Sequence, residues 1–147
     1  MSDQVKRRSI LVVEDNPLIV KFYRMALGRR GGYDVHSTEE VGEILNLARS
    51  GAVDLVILDI SLSGARYDGR NIDGVQIAGL LRSDPACAHI PILIATAHAM
   101  TGDREKMIQA TGADDYLEKP IYDSNLLIGK IEALLSRQTP EPRPDNS

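Results

Sequence analysis

Five polar side chains in this sequence directly follow or closely flank short apolar runs, and together they could bind a divalent cation and a phosphoryl group. They are three carboxylates, one hydroxyl and one ammonium: Glu14, Asp15, Asp59, Thr96 and Lys119. If the runs are parallel strands of one sheet, their carboxyl ends lie along one edge, and the five side chains meet there. A carboxylate can attack phosphorus and form an aspartyl phosphate, while a cation and an ammonium stabilise the transferred charge. The pattern therefore predicts phosphoryl chemistry at that edge.

The three carboxylates would repel one another strongly without a counter-ion. Two unit charges 4 Å apart cost about 4 kcal/mol at an effective dielectric constant of about 20. A fold retains such a cluster when a cation offsets the repulsion. Oxygen ligands with room for water favour Mg²⁺, with Mn²⁺ as a substitute.

The elements that must position these side chains are predicted from hydrophobic periodicity. The strand candidates are near-continuous apolar runs, which is typical of parallel strands covered on both faces. Segments with helical spacing lie between them, so strand and helix alternate five times, with residues 32–36 as a weak second strand. Right-handed crossovers then predict an α/β fold: a doubly wound, five-stranded parallel sheet in a flavodoxin-like (βα)5 three-layer sandwich. The strand order 2-1-3-4-5 is adopted by analogy with that fold.

The first two predicted helices carry signals at their starts. The first begins at Asn16, a good capping residue, has Pro17 at its first position and ends near Gly31-Gly32. Before the second, Ser37 and Glu40 have the spacing of a capping box. The apolar face predicted for the first helix is Leu18, Ile19, Phe22, Met25 and Ala26; that of the second is Val41, Ile44, Leu45 and Ala48.

The other three helices are delimited by proline, glycine and aspartate. The third is predicted over about residues 75–81, before Asp84-Pro85, and the fourth over about residues 102–110, with Gly112 as its C-cap. The fifth begins near Asp123. Its predicted apolar residues are Leu127, Ile128, Ile131, Leu134 and Leu135.

Composition limits the classes of partner and compartment. The 147 residues correspond to about one domain, predicted over residues 8–137, with an N-terminal extension at 1–7 and a disordered proline-rich tail at 138–147. A net charge of −4 without a basic stripe argues against nucleic acid or an anionic membrane as direct partner. Cys87 is the only cysteine, and neither a secretory signal nor a membrane-spanning stretch is evident. We expect a cytoplasmic protein.

Four stretches resemble the CheY-like receiver domain of response regulators in two-component signalling. They are Ile-Leu-Val-Val-Glu-Asp-Asn-Pro at 10–17, Asp-Leu-Val-Ile-Leu-Asp at 54–59, Ile-Ala-Thr-Ala at 94–97 and Tyr-Leu-Glu-Lys-Pro at 116–120. The resemblance covers about residues 8–137, and the motifs occur in the family's order and spacing.

The resemblance implies a role for each site residue. Asp59 accepts the phosphoryl group, and Thr96 and Lys119 bind it. The residues implied to hold Mg²⁺ are Glu14, Asp15, Asp59 and the backbone carbonyl of Ser61. Thr96 and Tyr116 match the family's switch pair, in which the hydroxyl moves toward the phosphate and the ring turns inward behind it. His98 matches a position that lines the mouth of the pocket and modulates the lifetime of the phosphate.

One segment departs from the family pattern. The separation between Asp59 and Asp73-Gly74, the counterpart of the family's Asp-Gly before the third helix, is about twice the usual one. The extra segment near residues 63–71 is polar and rich in glycine. It either gates the site or contacts a kinase, or it is a tolerated surface insertion.

The resemblance favours a phosphorylation switch that is not an enzyme beyond slow self-dephosphorylation. Its donor would be a sensor histidine kinase or a histidine phosphotransfer protein, and the protein would be a stand-alone receiver, a monomer or weak homodimer. No stretch remains for a DNA-binding output domain. Output is therefore predicted to be contact with a downstream protein on the face of the fourth helix, fifth strand and fifth helix, around Tyr116, Ile121 and Tyr122.

Three alternatives stay open at this point. A phosphohydrolase with an aspartyl-phosphate intermediate would usually carry a second aspartate two residues past the nucleophile, where this chain has Ser61. A pseudo-receiver would act as a docking module without phosphorylation. The chain could also be a receiver excised from a hybrid kinase or phosphorelay.

Overall fold

A single parallel sheet of five strands organises the protein. The computed structural model describes residues 7–60, 66–97, 103–119, 121 and 123–138. In chain order the strands of this sheet are β1 (Ser9–Val13), β2 (Asp34–Ser37), β3 (Leu55–Asp59), β4 (Ile92–Thr96) and β5 (Asp115–Glu118). Their order across the sheet is β2-β1-β3-β4-β5, and every neighbouring pair is parallel. The predicted fold class and strand order are confirmed.

Helices cover both faces of the sheet. They are α1 (Pro17–Tyr23), α2 (Val41–Arg49), α3 (Gly74–Ser83), α4 (Asp103–Thr111) and α5 (Ser124–Gln138), with a π-helical segment, Arg24–Arg30, continuing α1. The side chains of α2 and α3 build one hydrophobic cluster, with Met107 of α4 packed against it. Those of α1, the π-helical segment and α5 build the other. We call these two sides of the sheet the α2/α3 side and the α1/α5 side. Among the described residues, no helix has the length and apolar character needed to span a membrane.

The buried face of the first helix matches the predicted one in part: Ala26 is buried, and Ile19 and Phe22 pack against the same cluster, but the other two predicted residues are exposed. Leu18 is 76% exposed and Met25 49% exposed, whereas Tyr23, Ala26 and Leu27 are buried. At 3.6 residues per turn, Leu18 lies roughly 140° around the helix from Tyr23 and therefore cannot share its face. Met25 lies in the π-helical segment. Each residue there turns less about the axis than α-helical periodicity assumes.

The predicted capping box of the second helix is also wrong. Ser37 is the last residue of β2 and pairs with Val12 in the sheet, so it is not free to cap a helix. The N-cap is Glu40, whose carboxylate accepts a hydrogen bond from the backbone N–H of Glu43 at 3.0 Å. The apolar face predicted for this helix is buried as expected.

Part of the long segment after Asp59 forms a β-hairpin. Arg66–Tyr67 pairs antiparallel with Arg70–Asn71. The two turn residues, Asp68 and Gly69, both have positive φ, as a type I′ turn requires. The hairpin contacts α2 and borders a cavity of about 380 Å³ whose other wall belongs to α3.

Candidate functional site

The carboxyl ends of the strands bring the predicted site residues to one edge of the sheet. Parallel pairing aligns Val13 with Leu58, Asp59 with Ala95, and Thr96 with Glu118. Glu14 and Lys119 come one residue after β1 and β5. This register places all five residues at the same edge, as the sequence predicted.

The pleat of the sheet determines whether each of these side chains lies on the α1/α5 side or on the α2/α3 side. Successive residues of a strand point to opposite sides, so residues two apart share a side. Val12, Ile57 and Leu117 pack on the α1/α5 side. Two residues after each of them stand Glu14, Asp59 and Lys119, so these three share that side. Ile94 packs on the α2/α3 side, and so does Tyr116; Thr96, two residues after Ile94, belongs with them.

Three carboxylates converge at this edge. Glu14, Asp15 and Asp59 each offer an oxygen within 4.8 Å of the others. The exposed fraction is 5% for Glu14 and 3% for Asp59, whereas Asp15 is exposed. The ammonium of Lys119 lies 3.1 Å from Oδ1 of Asp59 and 3.5 Å from Oε1 of Glu14. One cation therefore faces a cluster of three acids.

The electrostatics of the cluster favour an added cation. Burial first, and then the negative charge of Asp59, raise the pKa of Glu14 to about 7, against the backbone N–H of Asn16 and the ammonium of Lys119, which lower it. The Oε1 atom of Glu14 is buried and has no hydrogen-bond partner among the described residues. Three hard oxygen donors with one unsatisfied buried oxygen fit Mg²⁺, which prefers oxygen ligands and keeps several waters.

The start of α3 supports the end of β3. Asp73 caps this helix in a capping box with Gln76, each side chain accepting a backbone N–H from the other residue at 2.9 Å. A Cβ atom on Gly74 would lie 2.6 Å from the carbonyl oxygen of Asp59 and 2.8 Å from Cα of Ile60. Glycine at 74 is therefore what lets the helix pack directly against the backbone of Asp59.

The predicted switch pair occupies the other face. Thr96 is 1% exposed, and Tyr116 is half-buried with its ring 5.3 Å from the ammonium of Lys130. Beside Tyr116 is an open cavity of about 390 Å³ between β5 and α5, which Leu126 and Lys130 also line. Ile121, predicted for the output surface, is half-buried and packs on the α1/α5 side.

Some predicted residues are not among those that the structure describes. Ser61, His98 and Tyr122 fall in this group, so the carbonyl ligand, the pocket modulator and one output residue stay predictions. Conversely, no sequence pattern marks Tyr23, which is buried and whose pKa is affected by the charges of Glu14 and Asp59. A tyrosine in an apolar helix pattern gives no signal of its own.

Comparison with known proteins identifies the family. The model of the response regulator receiver domain matches residues 10–132. The polar-differentiation response regulator DivK of Brucella anthropi is 35% identical over 114 residues, which are 78% of this chain and 85% of that protein. The DivK protein of Brucella abortus gives the same values.

Solved structures agree with this result. A sensor protein from Polaromonas sp. JS666 has a TM-score of 0.75 at 27% identity, covering 91% of this chain and all of that one. The receiver domain of the sensor histidine kinase PA1611 from Pseudomonas aeruginosa, crystallised with a magnesium ion coordinated in its active-site cleft, has a TM-score of 0.68 at 28% identity. The aligned region covers 90% of this chain and 97% of that receiver domain.

Receiver domains are generally phosphoacceptor switches of two-component signalling that bind Mg²⁺ at an acidic pocket and interact with histidine kinases and downstream targets. The fold, the acidic cluster at the carboxyl edge and the match over residues 10–132 agree with one another. The chain belongs to the response regulator receiver domain family.

Proposed function

We propose that this receiver takes a phosphoryl group onto Asp59 from the phosphohistidine of a sensor histidine kinase or histidine phosphotransfer protein. The observation that carries the proposal is the setting of Asp59. Its carboxylate is 3% exposed, lies 3.1 Å from the ammonium of Lys119 and shares a cluster with Glu14 and Asp15. No other carboxylate in the cluster is both that buried and that close to the ammonium.

Glu14, Asp15 and Asp59 would hold Mg²⁺, with Mn²⁺ as a substitute and the carbonyl of Ser61 as a further ligand. The carboxylate geometry supports this assignment, because one oxygen of each side chain lies within 4.8 Å of the others. When bound, the cation supplies positive charge that offsets the repulsion among the acids and the charge of the incoming phosphoryl group.

The transfer uses Asp59 and Lys119 where the fold places them, and Thr96 after its hydroxyl has moved toward the phosphoryl group. An oxygen of Asp59 attacks phosphorus, the P–N bond of the phosphohistidine breaks, and its electron pair returns to the imidazole, which takes up a proton. Lys119 stabilises the negative charge on the transferred oxygens, and the hydroxyl of Thr96 donates a hydrogen bond to one of them. Slow hydrolysis of the acyl phosphate would reset the switch.

Output would follow from the position of Thr96 and Tyr116 on the same side of the sheet. Movement of the Thr96 hydroxyl toward the phosphoryl group lets the ring of Tyr116 turn inward, and the face formed by α4, β5 and α5 changes shape. The cavity of about 390 Å³ beside Tyr116 and the half-exposed Leu126 supply apolar contact area for a downstream protein.

The remaining expectations belong to the same proposal. The folded receiver would span residues 8–137, which the family match over residues 10–132 supports. We infer a cytoplasmic protein that is a monomer or weak homodimer and that contacts proteins and not nucleic acid, in keeping with a net charge of −4.

The test is labelling by a small phosphodonor, phosphoramidate, in the presence of Mg²⁺, followed by intact-protein mass spectrometry. We expect one added phosphoryl group in the wild type and none in Asp59→Asn. Asp54→Asn is the matched control because Asp54 precedes the same strand at its opposite end, where it accepts a hydrogen bond from the backbone N–H of Ser9. Labelling of Asp59→Asn to the wild-type extent would refute the proposal.

A further inference from the structure

Tyr23 carries a buried hydroxyl that the proposed phosphoryl transfer does not use. The residue closes α1 and is 1% exposed. Its Oη atom has no hydrogen-bond partner in the part of the chain that the structure describes. Burial raises the pKa of this phenol, and the negative charges of Glu14 and Asp59 raise it further.

The location of this ring follows from the pleat of the sheet. Tyr23 packs with Val12 and Ile57 on the α1/α5 side. Glu14 follows Val12 by two residues, and Asp59 follows Ile57 by two, so both carboxylates project on this side of the sheet. The phenol of Tyr23 therefore lies on the same side as the carboxylates. Lys119 is the cation that faces the same group, 3.5 Å from Oε1 of Glu14 and beyond normal hydrogen-bond length.

One buried hydrogen-bond donor and one buried acceptor on this side of the sheet could complement each other. Among the described residues, the phenol of Tyr23 has no hydrogen-bond acceptor, and Oε1 of Glu14 has no hydrogen-bond donor, the ammonium of Lys119 lying 3.5 Å away. Buried polar atoms in folded proteins nearly always have a partner, often an enclosed water. A phenylalanine would fill the same apolar space without an unpaired hydroxyl, so packing alone gives no reason for the oxygen.

We propose that Tyr23 is a positioning residue for the cation site. Its hydroxyl donates through one enclosed water to Oε1 of Glu14 and holds that carboxylate in the orientation in which it binds the cation. The inference rests on the proposed function, because it takes Glu14 as a ligand. Partners of this kind, one contact away from the metal, orient the ligands that bind it.

The test compares Mg²⁺ binding by Tyr23→Phe and the wild-type chain, using calorimetric titration of the ion-free protein. We expect the Kd of the variant to be about tenfold higher, the lower end for loss of such a partner. Its unfolding midpoint in EDTA should stay close to that of the wild type, since phenylalanine fills the same apolar space and no described residue bonds the removed hydroxyl directly. Tyr33→Phe, buried on the same side beside Glu132, Arg8 and Arg7, should bind Mg²⁺ as the wild type does.

A double-mutant cycle separates positioning from a general loss of structure. In a Glu14→Gln background, Tyr23→Phe should change the Mg²⁺ affinity no further. Equal affinities of Tyr23→Phe and the wild type would overturn the inference and leave the proposed function intact. A wild-type chain that binds no Mg²⁺ would instead overturn the proposed function.

Proton NMR of the unmodified wild type provides a readout that needs no substitution. The hydroxyl proton of Tyr23 should exchange slowly with solvent and shift when Mg²⁺ is added. A hydroxyl proton that exchanges rapidly with solvent, or whose chemical shift does not change when Mg²⁺ is added, would contradict the proposal.

Discussion

The two ends of the sheet treat charged side chains in opposite ways. At the carboxyl end, three acids face one ammonium, and a buried oxygen of Glu14 has no hydrogen-bond partner among the described residues. At the amino end, a single arginine has partners for its donors on all sides. The amino end is arranged for stability, whereas the carboxyl end leaves interactions for a cation and a phosphoryl group to complete.

Arg82 is the residue that organises the amino end. Near the end of α3, its guanidinium donates to the carbonyl oxygens of Gly112 (2.8 Å), Ala88 (2.9 Å) and Ile90 (2.7 Å), and to Oδ2 of Asp114 (2.7 Å). These contacts connect α3 to the residues before β4 and before β5. The rigid fork of arginine suits this network, and a lysine could not reproduce it.

The largest effect should come from removing this network. Arg82→Met removes four hydrogen bonds, three to carbonyls and one to Asp114, and we expect a loss of about 4 kcal/mol in the free energy of unfolding, about 1 kcal/mol for each bond. Urea denaturation measures it. Arg49→Met, which breaks the exposed pair with Asp84 at the same end, should cost no more than about 1 kcal/mol. If Arg82→Met and Arg49→Met lost equal free energy, the network around Arg82 would not stabilise the amino end, and the contrast with the carboxyl end would fail.

The next largest effect is the dependence of stability on pH, which the raised pKa of Glu14 predicts. Its value rises from 4.5 to about 7 on folding, so the folded protein holds this proton more tightly than the unfolded chain. The resulting stability is complete below about pH 4.5 and is lost as pH rises through 7. It amounts to about 3 kcal/mol for the ion-free protein.

The measurement is the difference in free energy of unfolding between the wild type and Glu14→Gln, recorded in EDTA from pH 4 to 8. The wild type should lose stability relative to this variant as pH rises. A difference that stays constant with pH would show that Glu14 titrates normally in the folded protein.

A smaller effect tests the packing of α3 against the site. Gly74→Ala places a methyl group 2.6 Å from the carbonyl oxygen of Asp59, and we expect a loss of about 2 kcal/mol together with slower phosphorylation. Gly79→Ala is the matched control on the same helix, because its Cβ would meet nothing within 4 Å. That variant should gain up to about 1 kcal/mol from helix propensity and label at the wild-type rate. Equal behaviour of the two variants would contradict the close approach at Gly74.

The smallest effect is the stabilisation by bound Mg²⁺, which distinguishes loss of cation binding from loss of stability. Mg²⁺ at ten times its Kd should stabilise the wild type by about 1.4 kcal/mol, measured as a difference from unfolding in EDTA. Asp15→Asn should lose most of this increment, while Arg82→Met should keep it despite its lower stability. If the increment disappears in Arg82→Met but persists in Asp15→Asn, the cation does not bind at the carboxyl end of the sheet, and the account is contradicted.

The sequence predicted the carboxyl end better than the amino end, for a physical reason. Glu14, Asp59 and Lys119 each follow or closely flank a short apolar run, so local sequence places them once the strands are recognised as parallel. The neighbours of Arg82 and Tyr23 are brought together only by the fold, and no local pattern marks either residue.

Two local features were misread for different reasons. Leu18 and Met25 look apolar at helical spacing, but the phase of α1 and its π-helical continuation turn them outward. The hairpin at residues 66–71 had a signal, since Asp68-Gly69 is a preferred type I′ turn. No strand was predicted there, because the segment around this turn is polar and rich in glycine.

The most direct test of the central claim is to locate the phosphoryl group on the chain. Borohydride reduces an aspartyl phosphate to homoserine, so wild-type protein treated with phosphoramidate and Mg²⁺, then reduced and digested, can be mapped by peptide mass spectrometry. We predict homoserine at position 59 and nowhere else, and none when EDTA replaces Mg²⁺. Modification at another acidic residue, or an equal yield at position 59 in EDTA, would contradict a cation-dependent phosphoacceptor at the carboxyl end of β3.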